Sequence, residues 1–191
     1  MKGLRTALNE LYDRMWDARL GISTIGTDFG PTPYRLITNV FERLQLDADD
    51  HLIDFGSGRG RVVCYAARYP VARVAGVEID EIAVTDARRN IARLRQRAAR
   101  DVSVSLGSAG DFDCANGTVF YFANPFEETV FEKVLSNVRA AIGSRTNKAR
   151  IVYYNPMRRT VLDSLDWLAP PEVLFTSHSG APAVLLYRPK R

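Results

Sequence analysis

The stretch Asp54-Phe-Gly-Ser-Gly-Arg-Gly60 sets three glycines two residues apart directly behind an acid. Glycine lets the backbone take positive φ and come close to a ligand, and a purely structural turn needs only one or two. The dinucleotide fingerprint G-x-G-x-x-G seats a pyrophosphate on a helix N-terminus and keeps its third glycine position small. Here the spacing is G-x-G-x-G, Arg61 stands where the small residue belongs, and Asp54 is a poor neighbour for pyrophosphate. A Walker loop is excluded because no Gly-Lys-Ser/Thr follows. Asp54 suits a ligand that presents a cation. Glu78, in Val74-Ala-Gly-Val-Glu-Ile79, follows the glycines by about 20 residues, where an acid can accept hydrogen bonds from ribose hydroxyls. Taken alone, Glu78 also reads as a carboxylate at a helix start. A nucleoside carrying a positive group answers both acids, and S-adenosylmethionine, with its adenine, ribose, ammonium and sulfonium, is such a ligand.

A second constellation is Phe120-Tyr-Phe-Ala-Asn-Pro-Phe126. Methyl transfer needs nucleophile, methyl carbon and sulfur held in line, and a neutral amine needs its N–H groups accepted by oxygens. Asn124 offers a carbonyl oxygen, Pro125 fixes the turn, and Phe126 could wall a planar substrate. The same Asn-Pro pair could simply turn the chain into the next helix. A related stretch, Tyr153-Tyr-Asn-Pro156, makes Tyr154 and Asn155 candidates for a substrate wall, although strand aromatics are more often core.

These residues need elements to hold them. Leu4, Leu8, Leu11 and Met15 predict an amphipathic helix over 4–19, and Tyr34 to Leu44 a second, with Pro33 near its start. Short apolar runs predict strands at 51–55, 72–77, 102–106, 118–122 and 150–154. Helices are expected between them at 59–69, 80–97, 127–141 and 157–168. Such alternation argues for a parallel sheet covered on both faces. Residues 173–177 and 183–187 read as two further strands around a turn, giving an antiparallel end. The fold class is α/β: a three-layer, Rossmann-like, doubly wound, mostly parallel seven-stranded sheet. The glycines then fall in the first strand-to-helix turn, where open α/β sheets bind ligands. One domain is expected, with 1–33 a helix and lid segment and 34–191 the cofactor-binding part.

On these motifs the chain resembles the class I S-adenosylmethionine-dependent methyltransferases over roughly residues 30–190, with Asp54 to Gly60 matching the first motif and Val77-Glu-Ile-Asp80 the second. The resemblance implies that Gly56, Ser57, Gly58 and Gly60 pass beneath the methionine and ribose, Asp54 lies near the ammonium, Glu78 holds the ribose hydroxyls and Ile79 lies against the adenine. An acid usually follows the third strand to meet the adenine amine. Here Ser108 and Ala109 hold that place, with Asp111 the alternative. Gly30-Pro-Thr-Pro-Tyr34 is similar to the lead-in of small bacterial methyltransferases and, more distantly, of Dot1-type histone lysine methyltransferases, which implies that Thr32 is a lid residue. Asn124-Pro125-Phe126 resembles the [DN]-P-P-[FY] motif of amine and amide methyltransferases without its second proline.

Composition narrows the rest. The 191 residues are 46% hydrophobic and 25% charged, which excludes disordered and collagen-like classes. No apolar run reaches the ~18 residues of a membrane span, and no signal-peptide core begins the chain, so a cytoplasmic protein is expected. Cys64, Cys114, His51 and His178 lack the spacing of a zinc site, so no metal is expected. The net charge is +4. Arginines 88, 89, 93, 95, 97 and 100 read first as a solvated helix face, with a nucleic-acid surface the alternative. The expected partner is a protein or small-molecule methyl acceptor. The competing functions are a nucleoside-binding protein without transferase activity and an NAD-dependent dehydrogenase, the latter disfavoured by the glycine spacing.

Overall fold

The computed structural model describes residues 2–24, 31–123, 126–143, 146, 148–177 and 179–190, with side chains from Thr6 onward. Helix α1 (Lys2–Leu20) and helix α2 (Tyr34–Leu44) precede strand β1 (His51–Phe55). Then follow α3 (Arg61–Ala66), β2 (Arg73–Glu78), α4 (Glu81–Arg93), β3 (Asp101–Leu106), a 3-10 turn over Ala109–Asp111, and β4 (Val119–Phe122). The chain ends with α5 (Glu128–Ile142), β5 (Arg150–Tyr154), α6 (Arg159–Asp163), β6 (Glu172–Thr176) and β7 (Pro182–Tyr187).

The strands form one seven-stranded sheet in the order β3-β2-β1-β4-β5-β7-β6. All neighbours from β3 to β5 are parallel, and β7 is antiparallel to both β5 and β6. Two apolar layers flank the sheet. On one face α2, α3 and α4 cover Leu52, Val74, Val119, Tyr121 and Val152. On the other, α5 and α6 cover Ile53, Phe55, Phe120, Phe122, Ile151 and Tyr153. β1 is therefore buried at every residue, as a parallel strand between two helical layers must be. The predicted seven-stranded α/β architecture is the one observed.

Three boundaries differ from the sequence expectation, two of them for a tertiary reason. The helix expected over 80–97 ends at Arg93, where Leu94 turns extended and the Arg95 N–H donates to the Leu20 carbonyl at the end of α1. The helix expected over 157–168 shrinks to Arg159–Asp163, because Leu168 pairs with Pro189 and draws the chain along β7. The helix expected over 59–69 is regular only from Arg61 to Ala66. Between β3 and β4 stands only the short 3-10 turn, and Ser105 on β3 is correspondingly exposed. Among the described residues no helix is long and apolar enough to cross a membrane.

The fold brings β1 to the point where strand order reverses, with β2 on one side and β4 on the other. Asp54 pairs with Gly76 of β2 and with Tyr121 of β4. Gly76 is glycine for a local reason: a Cβ there would lie 2.7 Å from Ser57 Oγ and 3.0 Å from Val63 Cγ2. Gly76→Ala must displace the glycine loop, and we expect it to cost about 1–3 kcal/mol, readable as a lowered midpoint in urea denaturation.

Candidate active site

The loop after β1 turns three times through left-handed backbone, at Gly56 (φ 76°), Gly58 (φ 51°) and Gly60 (φ 80°). The N–H groups of Gly56 and Ser57 both donate to the Val77 carbonyl, at 2.9 and 3.1 Å. A Cβ at Gly60 would meet Ala87 of α4 at 3.2 Å, whereas one at Gly58 would meet nothing within 4 Å. Gly60 is thus shaped by helix packing, while Gly58 faces open space above the loop. Ser57 is buried, and its hydroxyl has no hydrogen-bond partner among the described residues.

Two acids stand at this loop. Asp54 is 2% exposed. Burial, and then the charge of Glu78, push its pKa up to about 8, and among the described residues no cation offsets either. A buried carboxylate without a counter-charge favours a positive ligand group. The Glu78 carboxylate ties the two strand ends together. One oxygen accepts from the Gly58 N–H at 2.8 Å, and the other from Ile79 and Asp80 N–H at 2.8 and 3.0 Å. Asp80, not Glu78, caps α4, accepting from the Ile82 and Ala83 N–H groups. The helix-start role belongs to the neighbouring acid, and Glu78 retains acceptor capacity toward the cleft.

Apolar side chains lie exposed around Glu78. Ile79 is 76% exposed, and Leu106, the register partner of Glu78 on β3, is 48% exposed. Both stand exposed at the ends of β2 and β3, on either side of Glu78 in sequence and register. Leu106 escaped the sequence analysis because it reads as an ordinary strand end, and only the pairing of β2 with β3 places it here. Ser108 and Ala109 follow at the 3-10 turn. Asp111 points elsewhere: it bonds Lys133 of α5 at 2.6 Å, which holds its carboxyl below the usual range.

At the other end of the loop, Arg61 is buried at 3% exposure. Its Nε donates to Thr24 Oγ1 at 2.7 Å, and its Nη1 donates to Asp13 Oδ2 at 2.6 Å and to the Thr32 carbonyl at 3.3 Å. Its guanidinium lies 4.7 Å from the centre of the Tyr34 ring. Asp17 accepts from the Thr24 hydroxyl and N–H, and from the Tyr34 hydroxyl at 2.6 Å. Asp13 also accepts from the Tyr34 N–H at 3.0 Å. This network fixes α1, Thr24 and residues 31–34 against the glycine loop. Sequence reasoning missed it. Its one visible trace was Asp13 and Asp17 four residues apart on α1.

Thr32 is consequently buried, and the Tyr121 hydroxyl, on the strand beside Asp54, lies 3.4 Å from its Oγ1. Tyr154 packs against the same apolar layer as Tyr34 and Tyr65, and burial, then the charge of Asp13, raises its pKa. Asn155 is exposed with left-handed backbone (φ 49°), its N–H bonded to the Ala183 carbonyl. Phe126 is half-buried and packs toward Phe131 of α5, ring centres 6.5 Å apart. Asn124 and Pro125 lie outside the described residues, as does His178.

A family described as "Histone methylation protein DOT1" matches residues 24–101, which contain Thr32, the glycine loop and Glu78. A protein-lysine N-methyltransferase from Saccharolobus islandicus is 29% identical over 90 residues, covering 47% of this chain and 55% of that protein. The chain thus spans about half the length of that curated relative. Among solved structures, an RNA methyltransferase from Salinibacter ruber in complex with S-adenosyl-L-homocysteine aligns with a TM-score of 0.58 at 24% identity, covering 85% of this chain and 95% of that one. A TehB-like SAM-dependent methyltransferase from Corynebacterium glutamicum aligns with a TM-score of 0.59 at 16% identity, over 97% of this chain and all of that one. The chain has the class I methyltransferase fold. Within that fold the structure gathers Asp54, Gly56, Ser57, Gly58, Glu78, Ile79, Ser108 and Ala109 along the ends of β1, β2 and β3. Thr32, Tyr121 and Tyr154 stand toward β4 and β5.

Two outcomes follow from the buried charges. The folded state holds the Asp54 proton to about pH 8, whereas the unfolded chain releases it near pH 4. The folded state therefore binds more protons in that window. The contribution of Asp54 is fully present below about pH 4 and is lost, by roughly 1.4 kcal/mol per pH unit, until about pH 8. Asp54→Asn is expected to be more stable than the parent at pH 8 and to remove this slope, as measured by urea denaturation from pH 5 to 9. Arg61→Met leaves Asp13 without its cation and is expected to cost about 3–5 kcal/mol, with earlier proteolytic cleavage between α1 and α2 as an independent readout.

Proposed function

We propose that this chain is an S-adenosylmethionine-dependent methyltransferase acting on a nitrogen nucleophile, with a protein lysine side chain the favoured acceptor. The observation that carries the cofactor is the pairing of Asp54, buried and uncompensated, with Glu78 across a left-handed glycine loop that is open above Gly58. One acid suits the cofactor's ammonium and the other its ribose, with Ile79 and Leu106 as the adenine platform and Ser108 and Ala109 at the ring's edge. The S-adenosyl-L-homocysteine complex of the Salinibacter relative supports the same cofactor.

The acceptor rests on different support. The family match covers the Thr32 segment as well as the loop, and the archaeal relative is named for lysine N-methylation. Tyr121 and Tyr154 offer hydroxyls near the methionine end, and the Asn124 carbonyl would add a further acceptor for an amine's N–H groups. Pro125 would fix that turn and Phe126 the wall beside it. The cofactor supplies the methyl group. The chain's own residues bind it, exclude water and aim the nucleophile.

Calorimetry with S-adenosylmethionine and with NAD tests the cofactor, and saturable binding of the first alone is expected. Glu78→Ala and Gly58→Leu should each weaken that binding by about tenfold or more, one losing charge-assisted hydrogen bonds and the other filling the cleft. Below pH 8 binding should release a proton from Asp54, seen as a heat that varies with the buffer's ionisation enthalpy. Preference for NAD, or undiminished binding by both variants, contradicts the site. Transfer of labelled methyl into the protein fraction of a lysate tests the acceptor, and label in RNA or small molecules instead would reassign it. An Asn124→Ala variant of full activity would remove the alignment role.

A further inference from the structure

The arginines that read as one helix face are divided by the fold. With α4 ending at Arg93, residues 95–100 run instead across the ends of α1 and α3. Arg95 N–H donates to the Leu20 carbonyl, and Ala98 and Ala99 N–H both donate to the Ala67 carbonyl at the end of α3. Arg68 reaches Gln96 Oε1 at 3.2 Å and lies 4.5 Å from the Trp16 ring centre, with Arg19 at 4.9 Å from the same ring. Arg19, Arg68, Arg95, Arg97 and Arg100 thus share one surface at the end of the sheet opposite the glycine loop. Among the described residues none of the five is ion-paired. Arg97 and Arg100 are held instead by backbone carbonyls, Arg97 by Ala99 and Arg100 by Ala48 at 2.7 Å.

From this clustering we propose that the surface binds the phosphate backbone of a nucleic acid, without reading its sequence. Unpaired like charges gathered from three elements repel one another, and a polyanion relieves that repulsion. Stacking on Trp16 and bonds to fixed carbonyls hold the guanidinium planes in place, and a planar guanidinium meets phosphate oxygens in pairs. The Trp16 ring already carries guanidinia against it, so it offers no platform for a base. Contacts are therefore to phosphates. An acidic protein would be expected to add an apolar interface core. The exposed apolar side chains of α1, Met15 one helical turn before Arg19 and then Tyr12, Leu11 and Leu8, instead run away from the patch along the helix. Because the patch is remote from the cleft, the nucleic acid is a tether and not the methyl acceptor. The inference is independent of the proposed reaction.

Fluorescence anisotropy of the full chain with labelled duplex DNA and with single-stranded RNA of about 20 nucleotides tests it. Affinity is expected to fall steeply with salt, in proportion to the phosphates contacted. Arg95→Glu/Arg97→Glu should lose about tenfold or more and flatten the salt slope by about 2. Arg95→Gln/Arg97→Gln, which adds no negative charge, should lose less and keep the parent's melting temperature. Arg139→Glu, on α5 across the sheet, should bind as the parent does. The assignment is overturned by no binding at low salt, by binding that survives both patch variants, or by equal loss in the far-side variant. Tighter retention on poly-glutamate or on anionic phosphatidylserine vesicles than on nucleic acid would also overturn it, in favour of an acidic protein or a membrane surface.

Discussion

The Arg61 guanidinium lies at 3% exposure, where an isolated ion would be strongly disfavoured. It is held there by Asp13, Thr24, the Thr32 carbonyl and the face of Tyr34. These partners come from α1, the segment after it and the start of α2, while Arg61 itself opens α3 immediately behind the glycine loop. One guanidinium therefore fixes the position of everything before β1 relative to the turn that faces the ligand. Tyr34 in turn packs against Trp16 and Tyr65, with the three ring centres 5.1–5.9 Å apart. Such an arrangement contributes less to stability than to a single geometry, and geometry is what an in-line transfer would require.

The glycine loop is constrained from two sides. Gly60 must accept Ala87 of α4, and Gly76 must leave room for Ser57. Glu78 then closes the loop by accepting the Gly58 N–H. The cleft is thus bordered by an acid that is hydrogen-bonded and an acid that is not. Glu78 accepts N–H groups from both the glycine loop and its own strand end. The Asp54 carboxyl shows no hydrogen bond and no counter-charge among the described residues, so its charge is costly. The two acids thus sit in different environments on either side of one loop, which is the contrast the proposed cofactor reading uses.

Much of this was legible in the chain. The spacing of Gly56, Gly58 and Gly60, with Asp54 before and Glu78 one strand later, determined the ligand class, because left-handed backbone and charge are local properties of residue type. Alternation of apolar runs determined the parallel sheet and its antiparallel end, because a strand buried on both faces has no polar residues to spare. Even Arg61 was visible as a departure from the dinucleotide fingerprint.

What Arg61 does instead was decided by tertiary structure alone, since its partners lie 29–48 residues away and share no periodicity with it. The same holds for Leu106, whose place beside Glu78 depends on strand register, and for the division of the arginine run, which depends on Leu20 taking the Arg95 N–H. Local sequence determines what conformation and charge a residue carries, and long-range packing decides which neighbours that charge will meet.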